Sequence, residues 1–158
     1  MNFHLRSVAA ALCIAALSGC GSPGADTAFK APDGWKSTPG MFGRFQMWMT
    51  GSGQADRQIV MLIRGDRNTT TTESITLAGS NNVRDLKRES IKLCGSQAAD
   101  HFTATAEHRT NNKSVRETIE GVTTTIGASK YIAFYMRPAN VQADAQAEAA
   151  IHSLCPQK

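Results

Sequence analysis

The run from His101 to Cys155 constrains the fold more than any other stretch. Lys130 to Arg137 (KYIAFYMR) is a nearly continuous apolar segment, stopped by Pro138, which cannot donate to a β-ladder. Shorter strand-like segments precede it. His101 to His108 is one, and Ser114 to Ile119 follows an Asn111-Asn112 turn. Val122 to Ile126 comes after Gly121, either as a new strand or as a continuation through a bulge. Past Pro138 the period changes. Ala143, Ala147, Ala150, Ile151 and Leu154 recur at spacings of three and four, which gives one apolar helix face over Val141 to Leu154. Asn140 is the expected cap, and Pro156 ends the helix. A strand meander followed by one amphipathic helix predicts an α+β domain: an antiparallel sheet packed by a C-terminal α-helix.

The upstream half adds a hairpin. Arg44 to Thr50 (RFQMWMT) alternates, with Phe45, Met47 and Met49 on one face and Gln46, Trp48 and Thr50 on the other. Gly51 to Asp56 is a turn, and Gln58 to Arg64 (QIVMLIR) reads as a buried strand. Gly65 to Thr72 is expected to be a polar loop. Ile75, Leu77, Val83 and Leu86 keep no clean period, and a short helix over Val83 to Glu89, capped by Asn81 or Asn82, is the expectation there. Ser90 to Cys94 alternates again. No internal repeat is visible.

Residues 1 to 20 read MNFHLRSVAAALCIAALSGC. Arg6 gives a positive start, and Val8 to Leu17 is apolar but shorter than the roughly 20 residues a transmembrane helix needs. The segment is therefore read as a processed leader. Leu17-Ser18-Gly19-Cys20, an aliphatic residue, two small ones and a cysteine, resembles the lipobox of bacterial lipoproteins with a type II signal peptide. The resemblance implies cleavage between Gly19 and Cys20, diacylation of the Cys20 sulfur and attachment to a membrane through those chains. Two or more acyl chains hold a protein to a bilayer stably, whereas one does so marginally. Gly21 replaces the Asp that favours inner-membrane retention, which implies the outer membrane, facing the periplasm, in an organism that has one. The organisation expected is a signal peptide over 1–19, a lipidated Gly/Pro-containing tether over 20–28 and a globular domain over 29–158. By element order, residues 29–156 resemble the Mog1/PsbP-like sandwich.

Of four cysteines, Cys13 leaves with the leader and Cys20 goes to lipid. Cys94 and Cys155 remain, and in an oxidising compartment a disulfide between them is expected. Arg6 also leaves, so 17 Lys+Arg become 16 against 13 Asp+Glu. That excess is too mild for a nucleic-acid binder, and none is expected as a partner. No nucleophile elbow, phosphate loop, dinucleotide fingerprint or His-Glu-x-x-His motif occurs, so neither catalysis nor a cofactor is expected.

Met47 and Met49 are the most chemically suggestive pair. Soft sulfurs on one strand face suit Cu(I), although filling a core is the commoner use of methionine. His101 and His108 are seven apart, so on one strand they face opposite sides and cannot share a metal. Arg84, Lys87, Arg88 and Lys92, interleaved with Asp85 and Glu89, read as a solvated face. The sequence thus points to a non-catalytic envelope lipoprotein that binds an envelope protein or polymer. The alternatives are a Cu(I)-binding protein using Met47 and Met49 and an envelope hydrolase with dispersed catalytic residues.

Overall fold

Residues Ser129–Pro138 are the centre of the structure because they are apolar on both faces. Tyr131, Ala133 and Tyr135 point into one core, and Ile132, Phe134 and Met136 into the other. The computed structural model describes residues 23–39, 43–110 and 113–157. Among them are seven strands and two helices: β1 (Lys36–Pro39), β2 (Phe45–Thr50), β3 (Gln58–Gly65), α1 (Thr71–Leu77), β4 (Asn81–Leu93), β5 (Gln97–Thr110), β6 (Lys113–Ile126), β7 (Ser129–Pro138) and α2 (Ala145–His152). All strands join one antiparallel sheet in the order β1-β2-β3-β7-β6-β5-β4. This is the α+β architecture expected, with the C-terminal helix packed on the sheet.

Helix α2 lies over β3, β7 and β6 and buries Ala147, Ala150 and Ile151. With Trp48, Val60, Leu62, Val122 and Leu154 they form the first core. Asn140 is not the cap, and the helix starts four residues later than expected. Asp144 accepts hydrogen bonds from the Gln146 and Ala147 amides and so caps the helix at Ala145. The intervening loop has its own partners: Arg137 donates to the Val141 carbonyl, and the Asp144 amide donates to the Tyr135 hydroxyl.

The second core lies on the opposite face, under α1. Ile59, Met61, Ile63, Phe102, Ile119, Phe134 and Ile75 of the helix are buried there. The end of the loop expected over 65–72, and the unphased residues after it, form this helix. Its start is a capping box, with Thr70 accepting from the Glu73 amide and Glu73 accepting from Thr70. Those bonds from the Thr70 amide and hydroxyl hold the Glu73 carboxyl below its usual value. Asp56 is lowered likewise by the Ser52 and Gly53 amides, which close the β2–β3 turn.

The helix expected over Val83–Glu89 is instead part of β4, an exposed edge strand. Pairing with β5 slips by one residue between Asn81 and Arg84 and again between Arg84 and Lys87. Asn82 (φ 51°) and Asp85 (φ 54°) adopt the left-handed backbone these bulges need, a region that Asn and Asp tolerate better than most residues. Each bulge adds a residue, so Val83 and Leu86, three apart, fall on the same sheet face and imitate helical spacing. The mixed charges of β4 shield a long edge that no other described strand pairs. β6, by contrast, runs through Gly121 without a bulge.

The first described residues are bound to the domain, although 20–28 was expected to be a tether. Thr27 bridges Pro156, the Ala28 amide donates to the Cys155 carbonyl, and the Gln157 amide donates to the Asp26 carbonyl. Asp26 also accepts from the Tyr131 hydroxyl at 3.0 Å and pairs with Arg64 at 3.1 Å. Phe29, Ala31 and Trp35 then pack beside α2 on the first core.

Two predictions follow from this packing. A Cβ at Gly121 would lie 2.5 Å from Phe102, 2.6 Å from the Ala133 carbonyl and 2.6 Å from the Phe134 Cβ. Gly121→Ala is expected to cost about 1–3 kcal/mol in urea denaturation, the range of an overpacked core. The chain has two tyrosines, and burial raises both hydroxyls above the usual phenol value, helped at Tyr131 by its bond to Asp26. The folded state therefore keeps protons that the unfolded chain loses near about pH 10, so this contribution is whole below that pH and vanishes as pH climbs through the folded value. Phenolate absorbance should accompany alkaline unfolding rather than precede it.

Candidate functional site

Cys94 and Cys155 are joined, with Cα atoms 6.0 Å apart. Cys94 lies in the β4–β5 turn, in the left-handed region (φ 54°), and Cys155 lies three residues past α2. The bridge pins the end of the helix to this hairpin. Cys20 and the leader lie outside the described residues.

The bridge brings together a polar cluster on the α2 face. His101 of β5 stands directly opposite Glu89 of β4, and Glu120 of β6 is its diagonal neighbour. His101 Nδ1 is 3.1 Å from a Glu89 oxygen, and His101 Nε2 is 2.9 Å from a Glu120 oxygen. His152, in the last turn of α2, stacks on His101 with ring centroids 5.7 Å apart and planes 17° from parallel. His101 is half-buried, with a side chain 16% exposed, whereas His152 is exposed. One ligand atom each from His101, Glu120 and His152 lie within 4.8 Å of one another. Such a set can bridge charges or hold a cation.

The expected opposition of His101 and His108 is found. His108 is on the α1 face, where Arg57 donates to its Nε2 at 3.2 Å; Nδ1 therefore carries the proton and donates to the Gly79 carbonyl. Ser80 and Glu117 are buried nearby, and the Ser80 hydroxyl donates to Glu117. The His108 nitrogens are taken by Arg57 and Gly79, so Ser80 and His108 do not form a hydroxyl–imidazole pair. Met47 and Met49 are half-buried beside Phe45 on the second core, and Met47 faces Met61 across the ladder. Three of the cations that border two clefts have protein partners. Arg64 meets Asp26 and Ser129, Arg88 meets Thr71, and Lys130 meets the Thr69 carbonyl.

Sequence spacing does not join His101 to His152, because the two stand on different elements, β5 and α2. The available signal was the disulfide: His152 is three residues before Cys155, and Glu89 and His101 flank Cys94. No protein-family profile matches the chain, and no curated protein matches it. No helix among the described residues is long and apolar enough to cross a membrane.

The packing of the methionines makes a further prediction. Met47→Leu combined with Met49→Leu keeps volume and polarity nearly constant, so thermal stability should change by less than about 1.5 kcal/mol. Met47→Lys, placing a charge against Ile59, Met61 and Ile63, should cost clearly more in the same melting experiment.

Proposed function

We propose that this chain is a cell-envelope lipoprotein. Its domain is a non-catalytic binding or interaction module for an envelope protein or polymer, held to a membrane by acyl chains on Cys20. In an organism with two membranes it belongs on the periplasmic face of the outer one. The observation that carries the reading is Leu17-Ser18-Gly19-Cys20 at the end of a short apolar leader. The Cys94–Cys155 bridge supports it, because disulfides persist in exported proteins and are rare in the cytosol.

The attachment of the N-terminal segment gives the proposed anchor a direction. Asp26 is six residues after Cys20, which spans at most about 20 Å of extended chain. Asp26 is bonded at the end of the sheet that carries Tyr131, Arg64 and the Gln157 amide. That end, with the β4–β5 turn and the disulfide, would face the bilayer. The opposite end, with Arg57, Gly79 and His108, would be presented to partners.

Growth of expressing cells with a clickable fatty acid tests the anchor. The wild-type chain should take up label and sediment with membranes, and Cys20→Ala should do neither. A Cys20→Ala chain that is still labelled and membrane-bound would overturn the proposal.

A further inference from the structure

We propose that His101, Glu120 and His152 bind a divalent transition-metal ion of the Zn2+ or Cu2+ type, with Glu89 orienting the His101 ring. The inference concerns a site on the folded domain and does not depend on the lipid anchor.

Two imidazoles and a carboxylate form a borderline donor set that suits Zn2+ and Cu2+ better than Ca2+ or Mg2+, which prefer oxygen alone. Three protein ligands with one open position is also the usual arrangement of a zinc site that takes an exogenous ligand. The exposure of His152 at the end of α2 leaves the solvent side of the cluster open to that fourth ligand.

Zinc–ligand bonds of about 2.0–2.2 Å place tetrahedral ligand atoms roughly 3.4 Å apart. The three ligand atoms already lie within 4.8 Å of one another. Closing the difference takes a turn of the His152 ring out of its stack on His101, open to an exposed side chain at the end of a helix, toward two residues fixed on neighbouring strands. His152 is in the last turn of α2, where the helix dipole favours a cation.

The surroundings of His101 are those of a metal ligand. A ligating histidine usually donates its other ring N–H to a carboxylate or carbonyl, which fixes the tautomer and leaves the ligating nitrogen bare. Glu89 is placed for that role, 3.1 Å from Nδ1, while Nε2 faces Glu120. His108 provides the contrast. Its two nitrogens face a guanidinium donor and a backbone carbonyl, so no ligating nitrogen is left for a metal.

Isothermal titration of the purified full chain with Zn2+ tests the site, with Co2+ absorption reporting the ligand set. The wild type should take up one Zn2+ with micromolar affinity. His152→Ala and Glu120→Gln should each weaken it by about tenfold or more, comparable to the loss of a partner around a metal. His108→Ala should bind like the wild type. His152 is exposed and Glu120 only half-buried, so both variants should retain the native circular dichroism. No Zn2+ uptake by the wild type, undiminished binding by His152→Ala, or a loss confined to His152→Ala would each overturn the three-ligand site. A loss in His108→Ala as large as that in His152→Ala would overturn it too.

Discussion

The covalent tie between Cys94 and Cys155 is the constraint on which the rest of this structure depends. Helix α2 has only eight residues, and isolated helices of that length are not stable in water. Its buried face is largely alanine, which removes little apolar area from solvent. Closing a loop with a sequence separation of 61 restricts the unfolded chain by an amount equivalent to about 4 kcal/mol in the entropic account. With the helix end fixed, Cys155 and Gln157 present backbone groups that Asp26 and Ala28 pair with. That attachment brings Phe29 against Trp48, with ring centroids 5.2 Å apart, and Trp35 against Tyr135 at 6.2 Å. The first core is thus completed by a segment more than a hundred residues away from the helix it flanks.

The parts of the fold legible in the sequence were those in which one side-chain period dominated. The alternation of Phe45, Met47 and Met49 against Trp48 gave β2 its correct faces, and the apolar run of Lys130 to Arg137 gave the doubly buried β7. Legibility failed where backbone conformation rather than burial set the spacing. Val83 and Leu86 resemble helix positions because two bulges lie beside them. The segment around Ile75 had too few apolar residues to show a period, yet Thr70 and Glu73 at capping-box spacing marked its start. Gly121 suggested a bulge from its lack of a side chain. Its role is close packing, since Phe102, Ala133 and Phe134 occupy the space a Cβ would need.

The polar cluster at His101 was illegible for a different reason. Parity along one strand correctly separates His101 from His108, but it says nothing about a side chain delivered by another element. His152 reaches His101 because α2 packs on β6 and β7 and its end is bonded to the β4–β5 turn. The disulfide and the cluster are one piece of information read at two scales. Fixing Cys94 against Cys155 also fixes which residues three, five and seven positions away can meet.

The two bulges of β4 determine whether Glu89 belongs to that meeting. A one-residue slip in a ladder moves every later side chain to the other face. A single bulge before Glu89 would therefore turn Glu89, Ile91 and Leu93 away from α2, exposing two apolar residues and removing the carboxylate opposite His101. Two bulges restore the phase: Asn81 pairs with Glu107, Arg84 with Thr105, Lys87 with Thr103 and Glu89 with His101, all on the α2 face. Side chains hold both irregularities in place, as Asn82 donates to Glu107 and Asp85 accepts from Thr105. The bulges must consequently be kept or lost together. The residue types at 82 and 85, which look incidental on an exposed charged edge, set the face on which both the first core and the histidine cluster are built.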